Sequence, residues 1–224
     1  MNVIIVGAGK LAKELLESLG TGGAHPVFPW AERDRASGKS IVVHAGSGRE
    51  LDEVVAYCRA TRSPLMELST GSRVEAMTPD FPLVLCPNTN ILMLKFMAML
   101  ARNGAMFEGY PIAFTESHQA QKSSTPGTAV AMAQSLGLPA AEIVSIRNPA
   151  EQQGSLGIPP EHLGRHAYHR IVIEDGLCSL ALETRVYGAT PYADGVARIV
   201  SAIAARQLDN RRYDIIEFVD NGWI

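Results

Sequence analysis

The stretch Asn2-Val3-Ile4-Ile5-Val6-Gly7-Ala8-Gly9-Lys10-Leu11-Ala12 decides the fold. Asn2 to Val6 is almost wholly apolar and β-rich, as expected of a strand buried on both faces. A Gly-x-Gly-x-x-Ala turn follows at once. Leu11, Leu15, Leu16 and Leu19 then recur at helical spacing, and Gly20 ends the run. Strand, glycine turn, helix is the order in which such a turn cradles phosphates. Gly7 permits the tight turn, Gly9 lets a pyrophosphate approach the backbone, and Ala12 lets the helix sit close to the strand. The helix N-terminus supplies free N–H groups and a partial positive charge. Gly7, Ala8, Gly9, Lys10, Leu11 and Ala12 are therefore the candidate nucleotide-binding residues, with NADH or NADPH as the class of ligand.

Working outward, residues 25–30 read as a second strand, irregular or at an edge because of Pro26 and Pro29. Glu32-Arg33 follows where a dinucleotide fold meets the adenosine ribose. Glu32 suits the free hydroxyls of NAD, and Arg33 suits the extra phosphate of NADP. Both are present, so the choice stays open, and a solvated Glu-Arg-Asp-Arg loop is the plain alternative. Residues 40–45, 64–68 and 83–86 read as further strands. A helix over 50–60 carries Leu51, Val54, Val55 and Cys58 at helical spacing. Apolar runs alternating with helices predict a parallel sheet with right-handed crossovers. Small polar turns follow its strands: residues 46–48, then Ser69, Thr70 and Gly71, then residues 87–90 with Asn88. In open parallel sheets the ligand crevice lies beyond the carboxyl ends of the strands, so these turns are expected to line one groove.

Composition narrows the class. The chain has 224 residues, 46% hydrophobic and 19% charged, which excludes wholesale disorder and a disulfide-stapled miniprotein. A net charge of −3 argues against nucleic acid as a partner. No apolar run is long enough to span a membrane. The first residues lack the basic segment of an export signal, so a cytoplasmic location is expected. Cys58, Cys86 and Cys178 have no C-x-x-C spacing and read as buried, reduced thiols; no metal site is expected.

The second half reads differently. Residues 91–101 form an apolar helix whose Met93, Met97 and Met99 look like core filler. Strands are expected over 110–116, 143–147, 167–174 and 177–186, with a turn at Asp175-Gly176 between the last two. Helices are expected over 126–136 and 191–207. The hairpin predicts a mixed or antiparallel sheet in a second domain. Residues 154–164 read as a loose loop. Between the strand end at Thr115 and the helix at Pro126 lies Glu116-Ser117-His118-Gln119-Ala120-Gln121-Lys122-Ser123-Ser124-Thr125. His118 can exchange a proton near neutral pH, and Lys122 adds positive charge. Gly127, Thr128 and Ala129 present helix-opening N–H groups to an anion. A small carboxylate-bearing substrate suits this set.

This segment resembles the signature of the 4-hydroxy-tetrahydrodipicolinate reductase family, E-x-H-H-x-x-K-x-D-A-P-S-G-T-A. Glu116, His118, Lys122, Pro126, Gly127, Thr128 and Ala129 occur in that order. The glycine turn, Glu32-Arg33, Thr70-Gly71, Asn88, Gly164-x-His166 and Tyr192-Ala193-Asp194-Gly195 extend the likeness along the chain. The resemblance implies an α/β fold. A Rossmann domain spans residues 1–90 and 191–224, and an α+β domain at 91–190 binds substrate and builds a homo-oligomer, a tetramer or a dimer. It implies reduction of a cyclic imine or enamine dicarboxylate in lysine and diaminopimelate biosynthesis. His118 and Lys122 would move the proton, and Gln119, Gly127 and Thr128 would hold a carboxylate. Three departures stand out. Gln119 replaces the second histidine of the signature, Ser124 and Thr125 replace Asp-Ala, and the serine before Gly127 is missing. A paralogous reductase of a different imino or enamine acid, and a nucleotide-binding homologue without catalysis, remain the alternatives.

Overall fold

Asn2–Val6 forms the expected first strand, β1, and Lys10–Gly20 the expected helix, α1. The computed structural model describes residues 1–21, 24–188 and 192–224. Strands β2 (Val27–Pro29), β3 (Ser40–His44), β4 (Leu65–Glu67) and β5 (Leu83–Leu85) follow, with helix α2 (Leu51–Thr61) between β3 and β4. Helix α3 (Ile91–Asn103) leads to β6 (Ile112–His118), α4 (Gly127–Ser135), β7 (Val144–Ile146) and α5 (Pro149–Gly154). The chain ends with β8 (His166–Glu174), β9 (Ser179–Tyr187), α6 (Ala193–Ala204), β10 (Arg212–Asp214) and α7 (Ile215–Asp220). Two compact units result: Met1–Leu94 with Tyr192–Ile224, and Lys95–Pro191.

The first unit is a Rossmann-type layer structure. Its six strands pair in parallel in the order β10-β5-β4-β3-β1-β2. The order reverses between β1 and β3, which is where such sheets open a ligand crevice. One face packs Val3, Ile5, Val43 and Met66 against Leu15 of α1, Ile199 and Ile203 of α6, and Phe218 of α7. The other face packs Val42, Leu65 and Leu83 against Leu51, Val54 and Cys58 of α2. Burial on both faces explains the unbroken apolar runs of β1 and β3. Burying each such side chain stabilises the fold by roughly 1.5–3 kcal/mol. The prolines leave β2 short and at the sheet edge, as expected.

The second unit holds a mixed sheet in the order β7-β6-β8-β9. β6 runs parallel to β7 and antiparallel to β8, and β8 and β9 form the expected hairpin. At its tip Asp175 Oδ1 accepts from the N–H groups of Leu177 and Cys178, at 3.0 and 2.7 Å.

Several expectations need correction. Cys178 is exposed at the hairpin tip, not buried; Cys58 and Cys86 are buried as read. Met99 is 43% exposed, so among the three methionines of α3 only Met93 lies fully in the core. Strand β6 continues through Ser117 and His118, residues expected in a polar loop, because both pair with β8. The last long helix stops at Ala204, short of residue 207. Its expected start at Pro191, and the domain boundary drawn at 190–191, lie outside the described residues. Residues 154–164, read as a loose loop, include a 3-10 turn at Pro160–His162. Strand β10, α5 and α7 went unforeseen; Arg212 and Asp214 flank the single buried Tyr213 of β10, so no apolar run marks it.

Candidate functional site

In the first unit the glycine turn is held by contacts that only glycine allows. Gly7 has φ +126°, and a Cβ there would meet the Ala45 carbonyl oxygen at 2.5 Å. The turn after β1 thus lies directly against the turn after β3. A Cβ at Gly9 would meet nothing within 4 Å, so open space lies above the backbone that precedes α1. Its N-cap residue, Gly9, offers no side-chain cap, and its first turn has no acidic residue. Ala12 is fully buried against the sheet; Ala8, Gly9 and Lys10 are exposed and Leu11 half-buried. An uncapped N-terminus beside a glycine cradle fits the diphosphate of a dinucleotide.

A cavity of about 440 Å³ opens beside it, between the turn at 46–48 and the turn at 69–73. Ser69, Thr70 and Gly71 all line it, so two of the three polar turns come together as expected. Gly71 has φ +72°, which makes glycine the favoured residue there. Glu75 Oε1 accepts from the Gly71 and Ser72 N–H groups at 2.7 and 3.2 Å and fixes the turn. The third turn does not line this cavity. In it Asn88 Oδ1 accepts from the Asn90 N–H at 2.9 Å. Glu32 and Arg33 follow the carboxyl end of β2. Glu32 is exposed and paired with Arg35. Arg33 lies over the Trp30 ring, 4.5 Å from its centroid, and donates to the Trp30 carbonyl at 3.1 Å. Arg33 is thereby held locally rather than standing as an unengaged cation.

In the second unit the site is built on the end of β6. Glu116 is fully buried there. Its Oε2 pairs with His118 Nδ1 at 2.9 Å, and its Oε1 accepts from Arg147 Nη2 at 2.5 Å and from the Ser145 hydroxyl. Burial opposes ionisation of Glu116. The hydrogen bonds from His118, Arg147 and Ser145 outweigh it and hold the carboxyl down at about 2. Arg147 also donates from Nε to the Lys122 carbonyl at 2.9 Å, and a turn closes from the Lys122 N–H to the Gln119 carbonyl at 2.9 Å. One buried carboxylate and one guanidinium therefore anchor both His118 and the loop that carries Gln119 and Lys122. Glu116 occupies His118 Nδ1, so Nε2 is the ring nitrogen left to exchange a proton with a ligand.

Behind this pair lie His166 and His169. The rings of His118 and His169 meet edge to face at 5.7 Å, and those of His118 and His166 lie 6.5 Å apart. Burial, with the nearby His118 charge, lowers His169 to about 3, and burial likewise lowers His166. Ser117 Oγ bonds His166 Nε2 at 2.9 Å, and Gln152 Nε2 donates to Ser117 Oγ at 3.0 Å and to the His118 carbonyl at 2.8 Å. Helix α4 begins at Gly127 with Pro126 before it, no side-chain cap and no acidic residue in its first turn. Its opening N–H groups, with the half-buried Thr128, suit a carboxylate. Sequence reasoning named His118, Lys122, Gln119, Gly127 and Thr128, and missed Arg147, Ser145, Gln152 and His169. These reach the cluster through β7, α5 and β8, and no local spacing signals that. Among the described residues, no group of three or more metal-binding side chains is placed to hold an ion.

No family model matches the chain. It is 31% identical over 153 residues to 4-hydroxy-tetrahydrodipicolinate reductase 1, chloroplastic, of Arabidopsis thaliana, covering 62% of this chain and 44% of that protein. It is 30% identical over 153 residues to the probable 4-hydroxy-tetrahydrodipicolinate reductase 1, chloroplastic, of Oryza sativa subsp. japonica, covering 62% and 45%. The chain is thus similar in sequence to these reductases over 153 residues. The matched part is less than half the length of those plant enzymes. The fold agrees with a solved dipicolinate-bound dihydrodipicolinate reductase from Paenisporosarcina sp. TG-14, with a TM-score of 0.65 and 14% identity over 96% of this chain and 97% of that one. Among the described residues no helix is long and apolar enough to cross a membrane.

Proposed function

We propose that the chain is an NADH- or NADPH-dependent reductase of a cyclic imine or enamine dicarboxylate, with 4-hydroxy-tetrahydrodipicolinate as the substrate its sequence relatives favour. The observation that carries this reading is the Glu116–Arg147 pair, which anchors His118 and the Lys122 loop beside an uncapped helix N-terminus. A reduced nicotinamide, when bound, would supply the hydride; its acceptor in this substrate is the carbon–carbon double bond, conjugated with the imine, that forms when the 4-hydroxyl leaves as water. Gly7, Gly9 and the N-terminus of α1 hold the diphosphate of that cofactor. The N–H groups that open α4, with Thr128 and Gln119, hold a substrate carboxylate. His118 or Lys122 delivers the proton that completes reduction, so one hydride and one proton add across the double bond.

The alternative of a paralogous reductase rests on Gln119. An amide donates hydrogen bonds but carries no charge, so its grip on a carboxylate is weaker than that of an imidazolium. An assay coupled to the synthase that makes 4-hydroxy-tetrahydrodipicolinate separates the readings. The expected result is oxidation of reduced nicotinamide that falls 100-fold or more in Lys122→Ala or His118→Ala, about the size of a lost general acid. No oxidation with this substrate, while cofactor still binds, removes it in favour of another imino acid. No oxidation across a panel of cyclic imines points to a homologue without catalysis. We further propose a cytoplasmic homo-oligomer; size-exclusion chromatography with light scattering checks the oligomeric state, and fractionation of cells the location.

A further inference from the structure

His44 closes β3 and Glu67 closes β4, and both residues are 1% exposed. Glu67 is saturated with donors. It accepts from His44 Nδ1 at 2.8 Å, from the Ser69 N–H at 2.9 Å and from the Ser72 hydroxyl at 2.9 Å. The carboxylate thus ties the imidazole to the turn at 69–72 and places a proton on Nδ1. His44 Nε2 is left buried, with no hydrogen-bond partner among the described residues. A buried polar atom without a partner is costly, and in a native fold it calls for an explanation. His44 lines the 440 Å³ cavity, and it does so beside Gly46, where a Cβ would come within 2.9 Å of Nε2. Glycine at 46 therefore keeps the space before that nitrogen clear.

Sheet order says which part of a ligand reaches this cavity. The strands run β2, β1, β3, β4 across the sheet. On the reading that a nicotinamide dinucleotide binds, its diphosphate lies over the end of β1 and its adenosine ribose lies toward β2. The other nucleoside must then run over β3 and β4, past Ser47, Thr70 and Ser72, whose hydroxyls suit a sugar. We propose that His44 Nε2 takes a ribose hydroxyl on the nicotinamide side of the dinucleotide, and that Glu67 is the positioning residue that sets the ring. A hydroxyl can donate to a neutral imidazole or accept from a charged one, so the contact survives either state.

Binding of two probes to the whole chain tests this: reduced dinucleotide, and ADP as its adenosine half. The first variant, His44→Phe with Glu67→Gln, removes Nε2 and the buried charge while leaving an amide oxygen to accept from the Ser69 N–H and an amide N–H that the Ser72 hydroxyl can accept. The second, Gly46→Ala, keeps the dyad and fills the space before Nε2. Each is expected to weaken the dinucleotide about three- to tenfold, the size of one hydrogen bond, with ADP affinity unchanged within twofold. Unchanged dinucleotide affinity in both variants overturns the proposal and leaves the reductase reading intact. Equal loss of both probes in both variants also overturns it, since the contact would not be specific to the nicotinamide side. Failure of the unaltered chain to bind either probe overturns the nucleotide reading itself, and this proposal with it.

Discussion

At the scale of single residues, Glu116 does the most. It is a carboxylate buried where three donors converge, and it touches His118 directly and the Lys122 loop through Arg147. Removing its charge while keeping its shape leaves Arg147 without a counter-charge and His118 without an anionic anchor. Glu116→Gln is therefore expected to lower kcat about 10- to 100-fold. The dissociation constant of the cofactor should stay unchanged, because the glycine cradle belongs to the other unit. Steady-state kinetics beside direct cofactor titration check this; a change in cofactor affinity with kcat preserved would contradict it. Sequence alone exposes Glu116 as part of a signature. It does not expose its partner, since Arg147 lies 31 residues away on a strand end whose own sequence is unremarkable.

At the scale of elements, close backbone approach explains residues that periodicity cannot. Tyr192-Ala193-Asp194-Gly195 opens α6, and a Cβ on Gly195 would fall 1.6 Å from the Thr89 carbonyl oxygen. Thr89 Oγ1 meanwhile donates to the Tyr192 carbonyl at 3.3 Å. The start of α6 and the loop before α3 therefore touch main chain to main chain, and no rotamer change relieves an added methyl. Gly195→Ala is expected to destabilise the fold by about 1–3 kcal/mol or more, read as a lowered urea midpoint. An unchanged midpoint would mean that α6 does not pack as described. Helix periodicity revealed α1, α2 and α6 because each buries one apolar stripe. Strand β10 escaped notice because three residues with one inward tyrosine carry no pattern.

At the scale of the whole molecule, stability should depend on pH through the buried histidines. His169 is held at about 3 when folded, and an exposed histidine sits near 6.5. Between those values the unfolded chain binds a proton that the folded chain lacks, so stability is full above pH 6.5 and falls as pH drops toward 3. Glu116, held at about 2, adds the same sign below about 4.5. Each group contributes at most about 1.4 kcal/mol per pH unit within its window. Urea unfolding between pH 7 and 5 should show the midpoint falling, and His169→Gln should flatten that slope. Equal slopes in both proteins would show that His169 is not held neutral.

By itself the sequence determined the alternation of buried strands and amphipathic helices, the glycine turn after β1, and the order of His118, Lys122 and the Gly-Thr helix start. These are local patterns, set by side-chain periodicity and by backbone freedom at a few glycines. Tertiary structure alone decided that Arg147, Ser145 and Gln152 converge on the end of β6. It also decided that His44 and Glu67 meet beneath the turns of β3 and β4, that Gly7 must be small because its turn touches the turn after β3, and that Gly46 must be small because the His44 ring lies against it. Those facts depend on strand pairing between distant segments, which brings together side chains that no spacing along the chain connects.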